Sequence, residues 1–466
     1  MSDAPTFVNI VDGTDAPAAG GAVMDVPSPH DGGLVARIAA SAPGDVDAAV
    51  AAARAALPAW RATAPLERGA AIARFARLFD DEAGDLAELI HREMGKPLAE
   101  AQAEVARAAE VNHHFAAEAE RMWEQYLPSG GAFGAGNHVR GEGIGVVAAI
   151  TPWNFPVALI VWKLAPALAA GCTLVVKPAQ EAPLAAWRVC DIARRSGLPD
   201  GVVNCVLGDG PALGEALATH DGVDKVAFTG SRRVAEMIAG WAAPRLKALS
   251  LELGGHGPLI VLDDADLDAA VDVATVQGFA NAGQACYSVN RVFVPRTRMG
   301  DFMDAFRVRV AALELGPMAT QRGFDRHHEL MDDARAQGAT VEGGGTVAGR
   351  RLAPAIVTHA RHGVRVMEEE PFTPVVTVIS YDDVSEALAE ANRPDYGLVG
   401  YVCGGDLRRT MDVARALECG TVVVNGWRVV VAHAPYAGWK GSGVGAELGH
   451  PGMEAFIRWQ HVRVLA

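Results

Sequence analysis

The sequence predicts an α/β chain built from two packed units, and three observations predict it. From Gly143 onward, short β-branched or apolar runs alternate with stretches of helix length: GIGVVAAI, VALIVWKLAPALAAG, TLVVKP, APLAAWRVCDIARR, VVNCVL, PALGEALATH, KVAFTG, SRRVAEMIAGWAA and LSLELGG. Alternation of this kind builds βαβ units around a parallel sheet. The chain has 466 residues, half of them hydrophobic, which is more than one core of ordinary size holds. A second α/β pattern begins near Gly254 and places the division there.

Before Gly143, residues 45–57 and 66–120 are Ala-rich with helical periodicity. Residues 121–142 (QYLPSGGAFGAGNHVRG within them) carry Pro, Gly and short alternation, the mark of an extended hairpin or loop. In the second unit, DADLDAAVDVATVQGFANAGQAC reads as a helix leading into a Gly-containing turn, RVFV as a strand and ELMDDARAQ as a helix. EEEPFTPVVTVISY, ALAEANRP and GTVVVNGW continue the pattern. The tail, FIRWQHVRVL, alternates like a strand with no evident partner in its own chain. Such a strand is expected to add to a neighbour's sheet, in a homo-oligomer.

Charge and composition exclude several classes. The net charge of -15 repels phosphate backbones, so nucleic acid is not an expected partner. MSDAPTFVNI has no basic segment followed by an apolar one. The most apolar stretch, Val157 to Ala170, is interrupted by Lys163 and is too short for a bilayer. The expectation is a cytoplasmic protein with no membrane partner. Six single cysteines, with no CxxC and no Cys/His ligand spacing, suit a reducing compartment and give no metal site. Five of them read as small buried hydrophobes.

Cys286 is set apart by its context, NAGQAC, at a turn that makes it reachable. A thiol there is either a nucleophile or a structural group. Glu252 ends the last strand of the first alternation, where carboxylates of open α/β sheets face the ligand crevice. It is a candidate general base, or a solvated strand-end charge. Asn154, between two prolines in TPWNFP, offers an amide to a developing oxyanion, or serves only the turn. Lys177 ends TLVVK before Pro178, and Gly230-Ser231 occupy a strand-to-helix junction suited to phosphate. Glu370 and Glu447 sit in Pro- and Gly-rich contexts that ordinarily mean solvated loop charges.

Taken in order, TPWNFP, GCTLVVKPA, VAFTGS, LELGG, NAGQAC, EEEPFTP and GWKGSGVGAELG resemble the aldehyde dehydrogenase superfamily from about Asp45 to the C-terminus. The resemblance implies a Rossmann-like cofactor-binding domain (1–120 and 143–252), an α/β catalytic domain (253–445) and a small β oligomerisation extension (121–142 and 446–466). It implies oxidation of an aldehyde to an acid with NAD or NADP, through a thiohemiacetal and a thioester on Cys286, hydrolysed with Glu252 as base. Asn154 and the Cys286 backbone N–H would hold the oxyanion, and Lys163 and Glu447 would help move protons. Trp153, Lys177, Gln180, Gly230, Ser231, Glu370 and Phe372 fall at cofactor positions. A homodimer or homotetramer is the implied assembly, and no metal is implied.

Several positions depart from the family pattern: Ala235, Arg232 after Gly230-Ser231, Thr373 in FTP, Ala446, and a shortened stretch from Leu313 to Met318. Gln180 stands where NAD-preferring relatives often carry Glu; Gln does not repel a 2′-phosphate, so NADP is accepted on this reading. HREMGKPLAEAQAEV and VNHHFAAEAERMW look closest to the succinate-semialdehyde dehydrogenase branch. Trp162 and Ala280 replace the two arginines with which that branch grips a carboxylate. Phe155, Trp162, Trp427 and Tyr436 instead give an aromatic mouth for an apolar or aromatic aldehyde, with Arg428 the one cation near the set. A CoA-acylating semialdehyde dehydrogenase, a non-catalytic module and a redox-sensing thiol are the competing readings. Glu252, Cys286 and the joint spacing with Asn154 speak against each in turn.

Overall fold

The structure is a computed structural model and describes residues 4–122, 124–128 and 136–465. Two extended sheets carry it. In the first, five parallel strands run in the spatial order Ala248–Glu252, Lys225–Thr229, Val146–Ile150, Thr173–Lys177, Val203–Cys205. Gly443–Val444 adds antiparallel at one edge, and the hairpin of Asn9–Val11 and Thr14–Ala16 at the other. Every residue of Val146–Ile150, Thr173–Lys177 and Lys225–Thr229 is buried, because helices cover both faces. Helix Ala158–Ala170 is apolar apart from Lys163 and buried over all 13 residues; it ends where Gly171 takes φ 87°.

The chain order within that sheet creates the crevice. Strands progress outward from Val146–Ile150 through Thr173–Lys177 to Val203–Cys205, then return to the other side at Lys225–Thr229. Connections therefore leave in opposite directions from the paired strands Val146–Ile150 and Lys225–Thr229. A gap opens beyond their carboxyl ends, where open α/β sheets bind ligands. TPWNFP and Gly230-Ser231 follow directly from those two ends.

The second sheet orders Thr340–Gly343, Ala355–Thr358, Val375–Tyr381, Val289–Pro295, Gly257–Val261, Val399–Cys403 and Thr421–Val424, all parallel except the first. It lies wholly after Gly254, a region that holds elements the alternation did not reveal. Among them are the strands Gly257–Val261 and Val399–Cys403 and the helices Met299–Ala311 and Leu407–Ala416. The helical region 66–120 is three helices, Pro65–Asp81, Ala83–Met94 and Leu98–Glu118. Gly95, at φ 82°, ends the second of them.

One expectation is corrected. The tail strand, Ile457–Val464, has a partner in its own chain: it pairs antiparallel along the whole of Gly136–Gly143, which also pairs with Glu124–Pro128. Sequence separation hid this, since the partners lie more than 300 residues apart. The tip of the hairpin expected over 121–142 falls at 129–135, outside the described residues. Among the described residues, no helix is long and apolar enough to cross a membrane.

Candidate active site

Cys286 lies where the two sheets meet. Helix Leu267–Phe279 runs into a 3-10 turn, Ala280–Gly283, in which Asn281, Ala282 and Gly283 all take positive φ (51°, 55° and 73°). Two non-glycine residues in succession there are strained, and such strain persists only where surroundings enforce it. Gly283 has no alternative: a Cβ on it would stand 2.1 Å from the Thr373 carbonyl oxygen. The turn presents Cys286, the one cysteine of the six that is not buried, as expected. Its Sγ lies 3.4 Å from the Tyr436 hydroxyl. Burial and the charge of Glu252 hold the thiol well above its ordinary value, against the pull of the Tyr436 contact.

The glycines of LELGG explain how Glu252 reaches this place. A Cβ on Gly254 would lie 2.1 Å from the Glu370 carboxylate, and one on Gly255 would lie 2.3 Å from the Cys286 carbonyl. Bare backbone thus lets both segments close on the strand end. Glu252 is 4% exposed, and neither carboxyl oxygen has a hydrogen-bond partner among the described residues. Burial pushes its pKa up to about 8, with Glu447 adding to the rise and Lys163 and the Cys286 thiol offsetting part of it.

Asn154 is buried, and its Nδ2 donates to the Gln284 carbonyl at 3.1 Å, two residues before the thiol. Lys163, wholly buried, donates to the Thr229 hydroxyl at 2.6 Å and to Glu447 Oε1 at 2.7 Å. Glu447 is held in turn by two backbone hydrogen bonds to Tyr436. Glu447 therefore closes a chain from the thiol's own neighbour to the lysine, where sequence context suggested only a solvated loop charge.

On the crevice side, Lys177 is buried at its strand end, and burial lowers its pKa to about 8. Ser231 stands at the N-cap of helix Arg232–Ala242 without a side-chain cap, leaving the helix N-terminus open to an anion. Glu370 Oε1 accepts from the Gly255 N–H at 3.0 Å, and burial raises its carboxyl to about 7. Phe372, at φ 55°, packs edge-on against Trp153 with ring centroids 5.7 Å apart. Gln180 Oε1 accepts from the Gly210 N–H at 3.4 Å. Arg232 is tied to Asp395 and Glu236 at 2.6 and 3.0 Å. An uncapped helix N-terminus between a buried amine and a carboxylate fits a dinucleotide cofactor. Thr373 is buried, and its hydroxyl lies 3.2 Å from His327 Nδ1, so the departure at FTP is absorbed in the packing.

Aromatic side chains gather about Tyr436, the thiol's neighbour. Trp162 meets Tyr436 edge-on at 5.3 Å, and Phe155 meets Tyr287 at 5.6 Å. Trp427 is farther out, 49% exposed. Arg428 is on the rim and bound to Glu110 at 2.8 and 3.0 Å; both residues line an open groove of about 550 Å³ with His114 and His433. Sequence reading placed Arg428 near the mouth but did not see its acidic partner on helix Leu98–Glu118. It also missed Lys96, Glu100, Glu104 and Asn281, which brace the Asn154 loop and the thiol turn. Glu104 shares the buried stripe of Ala101, Val105 and Ala108, and a carboxylate on such a stripe signals a buried partner.

The burial of Glu252 has a consequence for stability. Unfolded, a glutamate releases its proton near 4.5; folded Glu252 keeps it to about 8. Between those values the folded protein binds more protons than the unfolded one, so the contribution of this residue to stability falls as pH rises and levels off above about 8. The melting temperature of Glu252→Gln is expected to gain on the parent from pH 5 to 8 and then hold its lead. A pH-independent difference contradicts the buried-carboxyl account.

Known proteins share the sequence and the fold. The profile of the Aldehyde dehydrogenase family matches residues 16–462. A probable succinate-semialdehyde dehydrogenase [NADP(+)] of Sinorhizobium fredii is 38% identical over 434 residues, 90% of this chain and 88% of its own. An NADP-dependent enzyme of Escherichia coli superposes with a TM-score of 0.96 at 35% identity, covering 98% of each chain. A betaine aldehyde dehydrogenase of Staphylococcus aureus, crystallised with NAD+, gives a TM-score of 0.95 at 32% identity over 98% of this chain and 95% of that one. The fold, the matched length and the identity agree: this chain belongs to the aldehyde dehydrogenase family and oxidises an aldehyde with NAD or NADP.

Proposed function

We propose that Cys286 carries the oxidation as a covalent nucleophile, with Glu252 as base and Asn154 as oxyanion donor. The supporting observation is the convergence, at one strand end, of a reachable thiol and a buried carboxyl that has no hydrogen-bond partner among the described residues. The Glu252 carboxylate takes the thiol proton as Sγ bonds to the aldehyde carbon and the carbonyl electron pair moves onto oxygen. The Asn154 amide and the Cys286 backbone N–H hold that oxygen. The nicotinamide cofactor, when bound, supplies the hydride acceptor. Oxidation leaves a thioester on Cys286. Glu252 then takes a proton from water, the water oxygen adds to the thioester carbon, and collapse expels the Cys286 thiolate with the acid as product. Lys163 and Glu447, within electrostatic reach of Glu252, carry its proton away.

Lys177 and Glu370 would hold ribose hydroxyls, Gly230 and Ser231 the pyrophosphate, Trp153 and Phe372 the nicotinamide end, and Gln180 the adenosine ribose. NADP is accepted because Gln180 carries no charge against a 2′-phosphate. Arg232, close in sequence to the pyrophosphate turn, would also favour a 2′-phosphate, but its ion pairs with Glu236 and Asp395 leave it a smaller part in that choice. Phe155, Trp162 and Tyr436 favour an apolar or aromatic aldehyde beside the thiol, with Trp427 at the rim. Arg428, already neutralised by Glu110, does not supply the missing carboxylate grip. The sheet of Glu124–Pro128, Gly136–Gly143 and Ile457–Val464 exposes Leu127, Val462 and Val464, a surface suited to a homodimer or homotetramer. Free cysteines throughout suit a cytoplasmic location.

Cys286→Ala is expected to abolish aldehyde oxidation while retaining reduced-cofactor binding by fluorescence; residual turnover above about 1% of the parent overturns the nucleophile assignment. Steady-state kinetics with both cofactors should give kcat/KM for NADP within about tenfold of that for NAD, a gap of about 1.4 kcal/mol. A larger advantage for NAD contradicts the reading of Gln180. Aromatic and apolar aldehydes should exceed succinate semialdehyde in kcat/KM. Efficient oxidation of succinate semialdehyde that is lost in Arg428→Ala contradicts the aromatic mouth.

A further inference from the structure

Beneath the thiol turn lies a polar network that the reaction as described does not use. Lys96 and Glu104 are both fully buried and ion-paired to each other. Lys96 Nζ also donates to the Asn154 carbonyl oxygen at 2.9 Å. The other Glu104 oxygen accepts from the Val157 and Ala158 N–H groups at 3.0 and 3.1 Å, at the start of the helix that carries Trp162 and Lys163. Asn281 Nδ2 donates to the same Asn154 carbonyl at 3.1 Å and to the Gln284 carbonyl at 3.2 Å. Glu100 accepts from the Asn281 N–H at 2.7 Å, where the backbone has φ 51°.

Stability is a weak reason for such a pair. Two charges withdrawn from water seldom gain over well-packed apolar side chains of the same volume. What the pair does is geometric. The Asn154 carbonyl is gripped by Lys96 from one side and Asn281 from the other, and Glu104 fixes both Lys96 and the chain just beyond Asn154. The peptide of Asn154 is thereby prevented from rotating, and its side-chain amide stays directed at the thiol turn. A displacement near 1 Å in a group of this kind costs about a hundredfold in rate.

We propose that Lys96 and Glu104 are positioning residues: they act through the Asn154 backbone to hold the oxyanion donor in register with Cys286. The proposal rests on the reading of Asn154 as that donor. Glu104→Gln tests it, because glutamine keeps the shape and an acceptor for Val157 and Ala158 but loses the charge facing Lys96. With a saturating aldehyde and NADP, kcat is expected to fall about ten- to a hundredfold with KM changed less than about threefold. Alkylation of Cys286 by iodoacetamide builds no oxyanion, and its rate should stay within about threefold of the parent. In an Asn154→Ala background, adding Glu104→Gln should cost less than about threefold more, since the group it positions is gone.

Full-sized loss from Glu104→Gln in the Asn154→Ala background overturns the proposal. So does an alkylation rate that falls in step with kcat, because the damage then lies in the thiol turn. Asn154→Ala alone separates the underlying reading: full activity in that single variant sinks the oxyanion assignment and the positioning role together. If Glu104→Gln does not fold, Asn281→Gly enters the same cycle. It keeps a residue suited to φ 51° and removes the second grip on the Asn154 carbonyl. Because it also removes a bond to the Gln284 carbonyl within the thiol turn, it is read by kcat with and without Asn154→Ala and not by alkylation. A full-sized loss in the Asn154→Ala background again overturns the proposal.

Discussion

Everything at this site depends on removing one carboxyl from water. Glu252 ends its strand in a place where no described side chain or backbone group satisfies it, with Glu447 nearby to make ionisation harder still. An exposed glutamate would be ionised at neutral pH and too weak a base to draw a proton from a thiol or from water. Desolvation raises the basicity of its ionised form, which is what the proposed role as base requires. Cys286 is subject to the same environment, and its pKa is raised as well. Burial thus disfavours the charged form of both groups, and the proposed base acts through the ionised fraction of Glu252.

That environment is made by two sheets closing on each other, and glycines set how closely. Gly254 and Gly255 allow Glu370 and the Cys286 carbonyl to lie against the end of the Glu252 strand, and Gly283 allows the thiol turn to lie against Thr373. The proposed cofactor and substrate groups fall into two sets. Lys177, Ser231 and Glu370 face the crevice of the first sheet, while Trp162, Tyr436 and Phe155 belong to the aromatic side. Lys163 and Glu447 bridge them, since Glu447 is bonded through its backbone to Tyr436 and through its carboxylate to Lys163.

Much of this was legible in the sequence, and the parts that were not have physical reasons. Strand–helix alternation located the first sheet because its strands are buried on both faces and read as unbroken apolar runs. Gly257–Val261 follows straight from the LELGG turn and merged with it, so it escaped notice. The pairing of Ile457–Val464 with Gly136–Gly143 is long-range, and periodicity carries no information about a partner. Cys286, Glu252 and Asn154 were individually ambiguous; the ordered motifs singled them out, and the fold brings them to one place. Lys96 and Glu104 were passed over because a lysine before a helix and a glutamate within it look solvated. Only their burial reveals that each exists for the other.

The central claim is a covalent intermediate on one sulfur, released by one base. Its most direct measurement is intact-protein and peptide mass spectrometry of the parent protein quenched in acid within the first turnover with aldehyde and NADP. The account predicts reduced cofactor formed in near-stoichiometric amount and an acyl group, as thioester, on the peptide that contains Cys286. Reduced cofactor with free acid and no adduct, or an acyl group on any other cysteine, contradicts it.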